Sequence, residues 1–148
     1  MKAMPEGDHV TIPADTAETE RFHGLMPFTG TLGVELVVNR PEEVRARLAW
    51  SEALCTSGGV LHGGVIMSLA DSTGGSCGFL NLPAGATGTT TIESKTNFLR
   101  AVRGGHIEAV SRPLHAGRTV IVIETDVVDA DGRLAARVTQ SQAVLRPS

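Results

Sequence analysis

With 148 residues, 41% of them hydrophobic, the chain can bury about two-thirds of its unfolded surface around one core, so a single domain is expected. Its formal net charge of -3 and the absence of any basic cluster argue against nucleic acid as a partner. The apolar runs fall short of the roughly 20 residues that cross a bilayer, Cys55 and Cys77 lack metal-ligand spacing, and no secretory apolar stretch opens the chain, so a cytoplasmic protein without a membrane span or metal site is expected.

Residues 1–13 show no sustained period and read as a loose arm before one domain over residues 14–148. The stretch "ADTAETERFHGLM" places acidic residues early and Phe22, Leu25 and Met26 late, with Pro27 as a stop, which predicts a short amphipathic helix. From Gly30 two β-rich runs flank "NRPEE", and in the second Val44, Ala46, Leu48 and Trp50 alternate with Arg45, Arg47 and Ala49, so a hairpin is expected. A glycine-rich helical stretch follows. "TTTIESKTNFLRAV" then reads as a β-branched strand, with Thr90, Ile92, Ser94, Thr96 and Phe98 on one face. After the turn "RGG", three more strand-like runs are separated by "HAG" and by "DADG", a strong hairpin-turn signal. One short helix, two strands, a central helix and four strands describe an α+β fold with an antiparallel sheet.

The central helix, between Gly64 and Leu80, is apolar or small almost all round, the mark of a buried helix. Each interior glycine costs about 1 kcal/mol relative to alanine, so Gly74, Gly75 and Gly78 need a tertiary reason. A curved sheet that wraps the helix closely would supply one. The other reading is that Gly74 and Gly75 end the helix and begin a loop.

The residues "GGVLHGGVIMSLADSTGG", followed by "NFLRA" and "HAGRT", resemble the hot-dog-fold acyl-CoA thioesterases, with the phenylacetate-degradation type the nearer match. The similarity extends from about Phe22 to the C-terminus. The resemblance implies a β-sheet wrapped around one long helix, and self-association as a homodimer or homotetramer whose active sites combine residues from two chains. It also implies an acyl-CoA substrate, with coenzyme A as part of that substrate and no separate cofactor or metal.

Thioester hydrolysis requires a polarised carbonyl and an activated water or nucleophile. Gly63 and Gly64, at the helix start, can aim backbone N–H groups and the positive end of the helix dipole at an oxyanion. Asp71 lies about two turns into the helix, with Met67, Ser68, Gly74 and Gly75 at the positions where a basic partner would sit. Set among apolar and small residues, it should have a raised pKa unless a partner subunit supplies hydrogen bonds; alternatively it is a solvated residue on a stripe with Ser68, Ser72 and Gly75. The resemblance makes Asp71 the family's acid, acting as general base toward water or as direct nucleophile.

His62 would orient the loop and line the pocket, and a nucleophile–base pairing with Cys55 or Ser57 finds no nucleophile elbow to support it. Relatives often carry Asn or Gln six residues before this histidine, where this chain has Thr56, a shorter hydrogen-bonding group. Thr91 falls where several relatives place Ser or Thr near the catalytic water, although a β-branched strand residue explains it equally well. Arg100, Arg118 and Thr119 match family positions that meet the phosphates of coenzyme A, and Lys95 or Arg103 could add to them. Few aromatic residues suggest an aliphatic acyl pocket, with Phe22, Phe28 or Phe79 available to stack on an aryl group. Two other readings remain: a hot-dog dehydratase of hydroxyacyl thioesters, which usually carries a proline in the histidine loop that "LHGGVIM" lacks, and a non-catalytic acyl-CoA or small-ligand binding protein.

Overall fold

The computed structural model describes residues 11–148, and most of the expected N-terminal arm lies outside the described residues. Asp15 begins the first helix: its carboxylate accepts the Glu18 N–H at 3.0 Å, and its own N–H donates to Leu36 O at 2.8 Å. The cap therefore both opens α1 (Thr16–Leu25) and ties it to the strand that follows. Of the three apolar residues expected on its inner face, only Phe22 is buried. Leu25 is 76% exposed and Met26 packs partly against the core. Pro27 ends α1 but also opens a second helix, α2 (Pro27–Leu32), where strand was expected from Gly30. Proline at the first helical position has no N–H to leave unpaired, and its fixed φ already suits a helix. Gly33, with φ 75°, closes α2 in the left-handed conformation.

Strands β1 (Glu35–Arg40) and β2 (Glu43–Ala49) form the expected hairpin around Pro41 and Glu42. Val44, Ala46 and Leu48 face the core at 0% exposure, whereas Trp50 falls just past the strand. Two 3₁₀ turns (Glu52–Leu54 and Ser57–Gly59) lead into α3 (Gly63–Leu80). Then come β3 (Gly88–Phe98), β4 (His106–Ala116), β5 (Val120–Asp129) and β6 (Leu134–Leu145). The six strands make one antiparallel sheet in the order β1-β2-β4-β5-β6-β3. It wraps around α3, which packs on all six strands, as expected of a hot-dog arrangement. No helix of the described residues is long and apolar enough to cross a membrane.

The helix runs unbroken through its glycines, so the reading in which Gly74 and Gly75 begin a loop does not hold. Its buried stripe is Ile66, Leu69, Ala70, Thr73, Gly74, Cys77 and Gly78, at steps of three and four. A Cβ on Gly74 would lie 2.1 Å from Gln140 Oε1, and one on Gly78 would lie 3.2 Å from Gln142 Cγ. Both glycines are thus needed for close approach to β6. Gly75 is not, since a Cβ there would meet nothing within 4 Å. Asn81 stops the helix, its side-chain amide donating to Cys77 O at 2.8 Å and to Pro41 O at 2.7 Å.

β3 stands at the edge of the sheet, and the two-faced strand expected from its sequence is exposed on both faces along most of its length. The "DADG" turn joins β5 to β6 as expected. Burial alone would raise the Asp129 carboxyl. The backbone N–H groups of Arg133 (2.9 Å) and Asp131 (3.0 Å), with the Arg133 guanidinium, outweigh that effect and hold it below its ordinary value. A depressed folded value means stability that is complete above the unfolded value and lost as pH falls through the folded one. Asp129→Ala is expected to lower the unfolding free energy by about 1–2 kcal/mol at neutral pH. The gap to the unaltered protein should close as pH falls below about 4. Denaturant titrations across pH measure both; a gap independent of pH would show that the carboxylate charge contributes nothing.

Candidate active site

The loop before α3 is fixed from three sides. Thr56 N–H donates to Val60 O at 2.8 Å, Leu61 N–H to Val102 O at 2.8 Å, and His62 N–H to Leu54 O at 2.9 Å. Arg103 donates to Gly58 O at 2.7 Å, so its guanidinium braces this loop. His62 takes the N-cap position of α3, and its Nδ1 accepts the Gly64 N–H at 2.8 Å. That bond requires Nδ1 to carry no proton, which leaves the Nε2 edge of a neutral ring as donor. It also engages Gly64, so the expected pair of free glycine N–H groups becomes one. Gly63 N–H has no acceptor among the described residues.

A cavity of about 370 Å³ adjoins Gly63, lined also by Thr56, Val60, Ile66, Phe98 and Val102. Thr56 and Gly63 are therefore brought together, and Arg100 borders the same cavity. The aromatic residue here is Phe98, whose ring would lie 3.1 Å from a Cβ on Gly63. None of the three phenylalanines proposed for stacking is at this cavity: Phe22 belongs to the core, and Phe28 and Phe79 are exposed elsewhere. Phe98 was hidden in the sequence by its place at the end of a polar strand.

Asp71 is eight residues further along α3, roughly 12 Å along the axis at 1.5 Å per residue. The apolar setting expected for it is absent. Asp71 is exposed, and its Oδ1 accepts from Gln140 Nε2 at 2.5 Å and from Thr91 Oγ1 at 3.5 Å. Thr91 Oγ1 in turn accepts from Gln142 Nε2 at 2.9 Å and Gln140 Nε2 at 3.2 Å. Thr91 thus belongs with Asp71. Gln140 and Gln142 escaped the sequence reading. Their signal was two amides on the inward register of β6, in step with Ala136 and Val138.

The thiols are not partners for His62. Cys55 Sγ donates to Ser51 O at 3.3 Å, and Cys77 is buried, which pushes its thiol up to about 11. The cationic residues do not converge in one chain. Arg118 and Thr119 share a shallow cavity with Arg146 beside the start of β3, whereas Lys95 and Arg100 lie toward its other end. Arg146, whose guanidinium donates to Arg118 O and Ala84 O at 3.3 Å, was also missed.

The imidazole cap is testable alone. His62→Ala should lower the unfolding free energy by about 0.5–2 kcal/mol, while His62→Asn, which keeps a side-chain acceptor, should retain most of it. Equal losses in urea titrations would mean that the cap is not what the ring supplies.

This geometry has counterparts. The family model described as "Thioesterase superfamily" matches residues 58–136, from the turn before α3 into β6. A Saccharolobus solfataricus protein whose name assigns it provisionally to the esterases is 39% identical over 99 residues, covering 67% of this chain and 69% of its own. The 1,4-dihydroxy-2-naphthoyl-CoA hydrolase of Escherichia coli is 33% identical over 87 residues, covering 59% and 63%. The crystal structure of a thioesterase from Haemophilus influenzae superposes with a TM-score of 0.80 at 25% identity, covering 92% of this chain and 96% of that one. The matched segment carries the capped HGG turn and Asp71, and the chain belongs to the thioesterase superfamily.

Proposed function

We propose that the protein hydrolyses an acyl-CoA thioester to the free acid and coenzyme A. The observation that carries this reading is a carboxylate, Asp71, held at one oxygen by Gln140 and Thr91, on the same helix whose first N–H, at Gly63, meets no acceptor among the described residues. The naphthoyl-CoA hydrolase among the relatives supports the substrate class.

Gly63 N–H, at the positive end of an 18-residue helix, takes the charge that develops on the thioester oxygen. Asp71 either removes a proton from water as the water oxygen bonds to the carbonyl carbon, or attacks that carbon to give an anhydride that water then opens. In both courses the C–S bond breaks and the thiolate of coenzyme A takes up a proton. Nothing in this sequence calls for a metal or redox group. Thr56 lines the cavity beside Gly63, whereas His62 is not among its lining residues and is proposed to act through the cap it gives to Gly64. Lys95, Arg100, Arg118 and Thr119 are proposed for the phosphates.

An oxyanion donor must lie about 3 Å from the thioester oxygen, and the base must reach the adjoining carbonyl carbon directly or through one water. A separation of roughly 12 Å along α3 is too large for a single chain, so the site is proposed to pair Gly63 of one copy with Asp71 of a second. The free edge of β3, with Ile92 63% exposed and Phe98 52% exposed, offers the surface for that association. Thiol release assayed over aryl and fatty acyl-CoA esters tests the activity. Asp71→Asn is expected to lower kcat by about 10²–10⁴-fold. The reading fails if no ester in the panel is cleaved, or if this variant keeps full activity. A monomer by sedimentation that still turns over substrate would remove the two-copy site.

A further inference from the structure

The Asp71 carboxylate is anchored asymmetrically. Both hydrogen bonds that it receives from its own chain fall on Oδ1, and Oδ2 accepts none from any described residue. The donor at 2.5 Å, Gln140 Nε2, belongs to a side chain that is 0% exposed on β6, the strand beside the β3 edge. The other end of that amide, Oε1, is buried with no hydrogen-bond partner among the described residues. It occupies the space beside Gly74, where a Cβ would come within 2.1 Å of it. A buried amide with one end unsatisfied is costly, by about 1–3 kcal/mol, and nothing in sheet packing requires a glutamine there. Val138, the inward residue before it, fills the same face with an apolar group.

From this arrangement we infer that Gln140 is the positioning residue of Asp71: its amide, admitted by Gly74, holds Oδ1 so that Oδ2 is the oxygen presented to water or to the carbonyl carbon. The inference rests on the proposed role of Asp71. Thr91 completes the arrangement, because its hydroxyl receives both glutamine amides and so has its own proton directed to Asp71. The helix supplies the acid and the empty space, the sheet supplies the donor, and the two meet at Gly74.

The experiment combines kinetics with a spectroscopic readout, using the acyl-CoA ester that the full-length protein cleaves fastest. Gln140→Met keeps the volume and removes the donor, and kcat is expected to fall about 10- to 100-fold, as for loss of one hydrogen bond to a charged group, with KM held within about threefold. Gly74→Ala should cause a similar fall alone and little further fall in the Gln140→Met background. In the unaltered protein one side-chain amide proton of Gln140 should resonate far downfield of the other, and Asp71→Ala should bring the two together in the NMR spectrum. This measurement decides the matter even where Gln140→Met does not fold.

Wild-type kcat in Gln140→Met overturns the inference, as does a Gly74→Ala defect of equal size in both backgrounds, or a Gln140 amide indifferent to Asp71. An inactive Asp71→Asn beside a fully active Gln140→Met removes the positioning role alone. A fully active Asp71→Asn removes the reading beneath it and the inference together.

Discussion

Everything in this molecule is arranged around a close approach between α3 and β6. An 18-residue helix crosses the concave face of a six-stranded sheet, and at Gly74 and Gly78 it has no side chain to keep the strand away. Glycines in a helix interior cost stability locally, about 1 kcal/mol each, and the sheet offsets that loss with burial along the rest of the stripe. Leu69, Ala70 and Cys77 are fully buried in the same core as Leu48, Ile107, Ile121 and Ile123. The space left by the two glycines is filled by Gln140 and Gln142, whose amides lie in a largely apolar layer that also buries Ser111 and Thr125. That substitution of polar for apolar matter inside the core is what connects packing to chemistry, since the same amides reach Asp71 and Thr91.

The convex face of the sheet has a separate character. Arg45 and Arg112 meet Glu43 at 2.5 Å, Arg47 meets Glu108 at 2.8 Å, and Arg137 meets Asp126 at 2.7 Å. Burial would raise the Glu43 carboxyl, yet Arg45 and Arg112 hold it below its ordinary value. Such partly exposed pairs contribute little each to stability. Their effect is on register: opposite charges across neighbouring strands agree with the alignment that places Val44, Ala46 and Leu48 on the helix side. The two faces therefore divide the labour, one specifying alignment and the other carrying the site.

Much of this was legible in the residues. Strand alternation in Val44–Ala46–Leu48, the "DADG" turn and the small-residue helix each follow from local chemistry, and each stands where it was expected. Three of the differences share one cause. Whether Leu25 faces inward, whether Gly75 touches a strand and whether Asp71 is enclosed all depend on how far the sheet curls, which no single segment encodes. Pro27 was ambiguous because the same residue stops one helix and starts the next. Asp71 and the HGG turn stood out as anomalies of type and position. Gln140 and Gln142 did not, because an amide on a strand looks ordinary until the register shows which way it faces.

Strand β3 also has a history in time. Among the described residues β3 pairs only with β6, the last strand in chain order, so it leaves the ribosome before its partner has been made. From Phe98 to Leu145 is 47 residues, about 2–9 s of synthesis at ordinary rates. A hydrophobic strand kept waiting with both edges open would recruit other nascent chains. The sequence "GTTTIESKTNF" has two large apolar side chains, Ile92 and Phe98, among hydroxyls, a glutamate and a lysine. Its polarity lets an unpaired strand remain in water until β6 arrives to pair with it.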